Sequence, residues 1–257
     1  MIPSMESISP IIKVDGLTLA YGNHLVLEDV SFEVQRGKCL VVMGGSGCGK
    51  STLLKSLVGL LEPSVGKIEI NSRNLWAGDK TDNSILKEFG VLFQGGALWS
   101  AMTIKENVSL PLEIYTDLED QDIDDLVRYK LSLVGLSGFE DFYPSEISGG
   151  MKKRAGLARA MALDPNILFF DEPSAGLDPI TSRRLDDLIT ELKESLGITF
   201  VVVTHELASI FEIADDSIFL DAQSKSLLDQ GKPDDLVKNS RFVRITDFLK
   251  RSESSTS

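Results

Sequence analysis

The stretch Cys39-Leu-Val-Val-Met43, followed by Gly44-Gly-Ser-Gly-Cys-Gly-Lys50-Ser51-Thr52, constrains the fold more than any other part of this chain. It predicts a short buried strand, a glycine-rich turn and the start of a helix. Gly44 to Ser51 fits G-x-x-x-x-G-K-[ST], the phosphate-binding loop. Gly44, Gly45, Gly47 and Gly49 let the backbone wrap closely and take positive φ. The N–H groups around Ser46, Cys48 and Thr52 then turn toward a polyphosphate, and the helix N-terminus adds positive potential. In such a loop Lys50 reaches the β- and γ-phosphates and stabilises their charge, and the Ser51 hydroxyl ligates Mg²⁺. A glycine-rich turn that binds nothing is the alternative. The apolar strand before the loop and the apolar helix after it (Leu53, Leu54, Leu57, Val58, Leu60, Leu61) favour the phosphate site.

At 257 residues the chain has room for one large domain or two small ones. No apolar run approaches the roughly 18 residues that a membrane-spanning helix needs. Met1 to Pro10 carries no positive charge and no apolar core segment, so it is not a secretory signal. These features predict a soluble, cytoplasmic protein. The net charge of −13, with Lys and Arg dispersed, argues against a nucleic-acid partner. The only two cysteines, Cys39 and Cys48, fall in a strand and in the phosphate loop, so free thiols are expected rather than a disulfide framework.

Ile11–Ala20 and Val30–Val34 predict strands separated by the turn-rich Tyr21-Gly-Asn-His24, with His24 a polar loop residue. Lys67–Ile70 alternates like a half-exposed strand, and Val91–Gln94 predicts a short buried one. Thr103-Ile-Lys-Glu106 matches a capping box opening a helix that should stop near Pro111. Ile123, Leu126, Val127, Leu131 and Val134 share one helical face. Ser148–Leu163 predicts a helix whose basic run, Lys152-Lys-Arg154, reads as a solvated face. Strand character returns at Ile167–Phe170, Thr199–Val203, Ser217–Leu220 and Leu227–Gln230, with helices from Thr181 to Leu196 and from Pro233. Apolar runs alternating with helices predict parallel strands buried on both faces. The fold class is therefore α/β, with a helical insertion at about 95–160. Residues 1–10 are expected to fray, 11–240 to form the main domain and 241–257 to form a C-terminal helix and tail, disordered from Ser252.

Asp171 and Glu172 end a core strand. Beside a phosphate loop, Asp171 would hold Mg²⁺ through water and Glu172 would act as general base on the attacking water. Gln94 either touches the metal or its water, or is a satisfied strand-end amide. His205, at the end of the next strand, faces the ligand crevice, where it would bond the γ-phosphate and hold Glu172. Ser148-Gly149-Gly150 opens a helix and forms a second anion site. It lies in the insertion, and a two-fold-related copy could present it to the γ-phosphate. Tyr21 either stacks on a base or is a half-buried strand aromatic.

Together these residues resemble the ATP-binding subunits of ABC transporters over Ile11 to Val237: Walker A at Gly44–Ser51, Q-loop Gln94, signature Ile147-Ser-Gly-Gly-Met151, Walker B at Ile167–Asp171 with Glu172, D-loop Ser174–Asp178 and H-loop His205. Met151 stands where most members carry Gln. The resemblance implies a RecA-like P-loop core, an N-terminal antiparallel β subdomain and an α-helical subdomain. It also implies ATP and Mg²⁺ as ligands, with Asp178 of the D-loop at the nucleotide. Phe93–Trp99, Asn107–Leu112 and Ile147–Arg159 are similar to the ATPases of Mce-type lipid transporters. That narrower likeness implies a homodimeric ATPase at the cytoplasmic face of a bacterial inner membrane. Its implied partners are an Mce-type permease, an MCE-domain lipid-binding protein and a small STAS-domain subunit, with Ala97, Leu98 and Trp99 docking the permease. ATPases for other cargoes are the first alternative, and non-transport members of the superfamily the second.

Overall fold

The computed structural model describes residues 9–77 and 84–250. The fraying expected for residues 1–10 falls outside the described residues except at Ser9 and Pro10, and the tail from Ser252 falls outside them altogether. A hairpin opens the chain: β1 (Ile12–Tyr21) and β2 (His24–Val34). β3 (Cys39–Gly44) leads through the phosphate loop into α1 (Lys50–Leu57). β4 (Val65–Ile70), β5 (Arg73–Asn74) and β6 (Phe89–Leu92) follow. Three helices come next, α2 (Ile104–Tyr115), α3 (Asp120–Leu133) and α4 (Gly149–Ala160). The chain returns through β7 (Ile167–Asp171), α5 (Pro179–Leu196), β8 (Thr199–Val203) and α6 (Leu207–Ile213). It closes with β9 (Asp216–Asp221), β10 (Ser226–Gly231), α7 (Pro233–Asn239) and α8 (Val243–Lys250).

These strands form two sheets, β2-β1-β4-β5 and β10-β9-β3-β8-β7-β6. In the larger sheet β3 runs parallel to β8 and β9, and β7 parallel to β8 and β6. The strand period of two divides its side chains between two cores. Cys39, Val41, Met43, Phe170, Phe200 and Val202 point to the helices, while Leu40, Val42, Phe169, Val201 and Val203 point to α1 and the smaller sheet. Burying each such large side chain contributes on the order of 1.5–3 kcal/mol, which makes the β3–β8–β7 centre the rigid base of the phosphate loop. The last strand departs from the parallel expectation: β10 pairs antiparallel with β9, because residues 222–225 make a turn too short for a crossover.

Several boundaries also differ from expectation. The helix after the loop ends at its C-cap, Val58, rather than at Leu61, because Gly59 takes φ 77°; Leu60 is left 64% exposed. Only Gly22 and Asn23 separate β1 from β2, so Tyr21 and His24 are paired strand residues rather than turn. Pro111 does not stop α2. The Thr103–Glu106 capping box starts that helix as expected, and Ile104, Val108 and Leu112 bury one continuous face across the proline. That burial outweighs the roughly 3 kcal/mol an interior proline costs.

The basic run on α4 is not a solvated face. Lys153 is buried, with Nζ donating to the Ala175 carbonyl at 2.6 Å. Arg154 donates to the carbonyls of Val134 (2.9 Å) and Gly135 (3.1 Å). Loop carbonyls at helix junctions need donors when buried, and long basic side chains reach them.

Asp186 of α5 is a second buried charge. It accepts from Ser209 Oγ of α6 at 2.7 Å. Burial pushes its carboxyl up to about 6; the Ser209 hydrogen bond opposes this, and Glu206, Glu212 and Asp187 add to it. A carboxyl raised on folding binds more protons in the native state than in the unfolded one. Its contribution to stability therefore falls as pH rises from about 4 through about 6, then stays constant. Asp186→Asn keeps an acceptor for Ser209 and removes the charge. The variant is expected to melt roughly 5 °C higher at pH 8, with a smaller gain at pH 5. Equal melting temperatures at pH 8 would contradict this.

Candidate functional site

Cys48 and Gly44 show why the phosphate loop has its sequence. Gly44 has φ 147°, and a Cβ there would lie 2.3 Å from Leu220 O of β9 and 2.7 Å from Cys48 Sγ. Only a glycine passes between the neighbouring strand and the buried thiol. Gly49, at φ 100°, is the N-cap of α1, and a Cβ on it would press on Leu27 and Val26. Cys48 is 1% exposed, and burial pushes its thiol up against the pull of Lys50. Its side chain packs under the loop and presents nothing to the cavity; any contact Cys48 makes with phosphate is through its backbone.

A cavity of about 660 Å³ opens over this loop. Gly44, Gly45, Ser46, Gly47, Gly49, Lys50, Ser51 and Thr52 line it, and Glu172 and His205 face it from the ends of β7 and β8. Lys50 Nζ donates to the carbonyls of Gly44 (2.9 Å) and Gly45 (3.0 Å), so its ammonium arches over the loop. Ser51 Oγ donates to Asp171 Oδ1 at 3.3 Å, which joins the start of α1 to the end of β7. Burial raises the Asp171 carboxyl, the Ser51 hydrogen bond opposes the rise, and the neighbouring Glu172 adds to it.

Glu172 adopts φ 48°, left-handed for a residue with a side chain. Its N–H donates to Val203 O at 2.8 Å, which stitches it to β8. His205 Nδ1 and Glu172 Oε1 lie 2.8 Å apart; a carboxylate only accepts, so the imidazole proton belongs on Nδ1. Glu172 Oε2 is buried, with no hydrogen-bond partner among the described residues. A buried carboxylate oxygen left open beside a phosphate loop is suited to take a proton from water.

The residue types also fit Mg²⁺. Among the described residues there is no group of three or more His, Cys, Asp or Glu able to hold a metal. Mg²⁺ commonly takes one or two protein oxygens and fills its other positions with phosphate and water. The Ser51–Asp171 pair supplies that minimum.

The other predicted residues are not gathered here. Gln94 does not end a strand: β6 stops at Leu92, and Gln94 is exposed in the following loop, outside the cavity. Tyr21 is 48% exposed at the end of β1, paired with His24, and also outside. Asp178 is the N-cap of α5, accepting from Ile180 N, Thr181 N and Thr181 Oγ1, so its carboxylate is engaged locally. Ser148 and Gly150 line a different cavity, beside Leu177 and Thr181. Ser148 is the N-cap of α4, and Ser148 and Gly149 are exposed. Three apolar residues around the phosphate cavity escape a motif search: Val26 of β2, Leu207 at the start of α6 and Phe248 of α8. Leu207 was within reach, two residues past His205. Phe248 had no local signal; it is placed by packing edge-on against Phe219, ring centroids 5.4 Å apart.

The loop expected to dock a partner is held from below. Buried Asn107 donates to the carbonyls of Trp99, Met102 and Thr103 and accepts from Trp99 N at 2.7 Å. Trp99 is left 63% exposed. Leu98 departs from expectation, because it packs against the helical core.

The family profile described as ABC transporter matches residues 27–175. The intermembrane phospholipid transport system ATP-binding protein MlaF of Escherichia coli (strain K12) is 38% identical over 245 residues, 95% of this chain and 90% of that protein. The probable ribonucleotide transport ATP-binding protein mkl of Mycobacterium tuberculosis (strain H37Rv) is 45% identical over 197 residues, 76% of this chain. This chain spans only 55% of that protein's length. The dimeric post-hydrolysis structure of the ATP-binding cassette MJ0796 with ADP and Pi superposes with a TM-score of 0.75 at 28% identity, covering 86% of this chain and 98% of that one.

Proposed function

This chain belongs to the ABC transporter family, and from that premise we propose that it is the ATP-hydrolysing subunit of a transporter moving phospholipid or a related lipid between bacterial membranes. The observation that carries the ATPase reading is Glu172 held by His205 over the phosphate-loop cavity, with one carboxylate oxygen open. ATP would enter that cavity with its phosphates on the loop N–H groups. Lys50 exchanges the Gly44 and Gly45 carbonyls for β- and γ-phosphate oxygens. Glu172 aligns the attacking water and takes its proton, while His205 keeps the carboxylate in place. Ser51 and Asp171 would hold Mg²⁺, which when bound neutralises charge building on the phosphates.

The site is completed by a second copy. Ser148 and Gly150 line a cavity other than their own chain's phosphate cavity, and a helix N-terminus such as that of α4 suits an anion. A two-fold dimer lets each chain cap the other's γ-phosphate, and the dimeric cassette it resembles supports this. Binding closes the dimer; hydrolysis and product release reopen it. Among the described residues no helix is long and apolar enough to cross a membrane; the partner proposed to do the membrane work is an Mce-type permease. Trp99, clasped by Asn107, is the contact proposed for it. An MCE-domain protein and a small STAS-domain subunit are the further partners proposed, at the cytoplasmic face of the inner membrane.

Lipid is favoured as cargo by the relative matched over nearly the whole chain. The name of the mycobacterial relative favours a second reading, a nucleotide cargo. Purifying the chain with its co-expressed permease and identifying bound small molecules by mass spectrometry decides between them. Phospholipid enriched over the bulk membrane is expected. Nucleosides or nucleotides in its place would overturn the lipid reading.

A further inference from the structure

Lys153 lies one turn into α4, 6% exposed, with its ammonium on the Ala175 carbonyl at 2.6 Å. Ala175 N–H in turn donates to Glu172 O at 3.2 Å. The ammonium is thus two hydrogen bonds from the backbone of the residue that faces the phosphate cavity. Glu172 needs such support, since a left-handed backbone at a residue with a side chain persists only where its surroundings impose it. The loop's own Ser174 hydroxyl gives no help: it is buried, with no hydrogen-bond partner among the described residues. Burial lowers the Lys153 proton affinity, and Glu206 and Glu172 oppose that by their negative charge. A buried ammonium is costly unless it is paired, so its placement here asks for a reason beyond packing.

The same rigid helix begins at Ser148–Gly150. We propose that Lys153 is a positioning residue that ties the helix capping the partner's ATP to the loop orienting Glu172 over this chain's own ATP. Closure of the dimer on one nucleotide then braces the general base at the other. This inference rests on the shared-site reading above.

Lys153→Met keeps the aliphatic stem and removes the ammonium. Turnover at saturating ATP is expected to fall at least about tenfold, while the isolated chain binds a fluorescent ADP analogue as before and melts within a few degrees of wild type. Lys153→Gln, whose shorter amide does not reach Ala175, should lose turnover similarly. Wild-type turnover in either folded variant would overturn the proposal. So would a parallel loss of ADP affinity, or failure of both to fold, since each assigns Lys153 to general stability. The control is an ATP-dependent dimer of Glu172→Gln. Its absence would remove the shared-site reading itself, whereas a dimer with unaffected Lys153→Met turnover removes only the role of Lys153.

Discussion

Replacing Glu172 with glutamine is expected to cut ATP turnover at least about 100-fold while leaving ATP bound. The amide keeps the shape of the side chain, and its carbonyl still accepts from His205, so the backbone at φ 48° and the wall of the cavity are undisturbed. What it loses is the open, basic oxygen. A 100-fold loss corresponds to about 2.7 kcal/mol of barrier, well within what a positioned base contributes. In the proposed cycle closure precedes cleavage, so the variant should accumulate as a dimer in ATP, which gel filtration with and without nucleotide will show. Turnover equal to wild type would remove Glu172 as the base. Tight binding without dimer would remove the shared-site reading.

Mixing two inactive variants should restore activity that neither has alone. Lys50→Ala removes the cation over the phosphate loop, and Ser148→Arg blocks the N-terminus of α4. Each homodimer then has both sites damaged, and each preparation should be essentially inactive. A heterodimer pairs the intact loop of one chain with the intact helix end of the other, so one complete site returns. With random assortment and independent sites, a one-to-one mixture is expected to recover on the order of a quarter of wild-type turnover. No recovery, with heterodimer shown by differential tagging and mass spectrometry, would mean that each chain hydrolyses ATP with its own residues.

Much of this site was legible in the chain because its parts are local. A strand, a glycine turn and a helix start must be contiguous to cradle phosphate, so Gly44 to Thr52 carries its own geometry. Glu172 and His205 each follow a short apolar run, and strand ends in a parallel sheet share one edge. Residues whose role depends on what packs against them carry no such local mark. Pro111 looked like a helix stop because propensity is local, whereas the face of Ile104, Val108 and Leu112 that carries α2 through it is a tertiary fact. Gln94 looked like a strand end because an apolar run has no marker for where pairing stops.

Periodicity and motif spacing by themselves determined the α/β class, the phosphate loop, the acidic strand end and the helical insertion, since each depends on residues close in sequence. Only the tertiary structure decided that β10 turns back antiparallel, that Cys48 lies under the loop, that Phe248 reaches the cavity from the far end of the chain, and that Lys153 points inward to Ala175. The physical reason is the same in each case. Burial and hydrogen-bond partners are properties of the surroundings, and those surroundings come from segments distant in sequence.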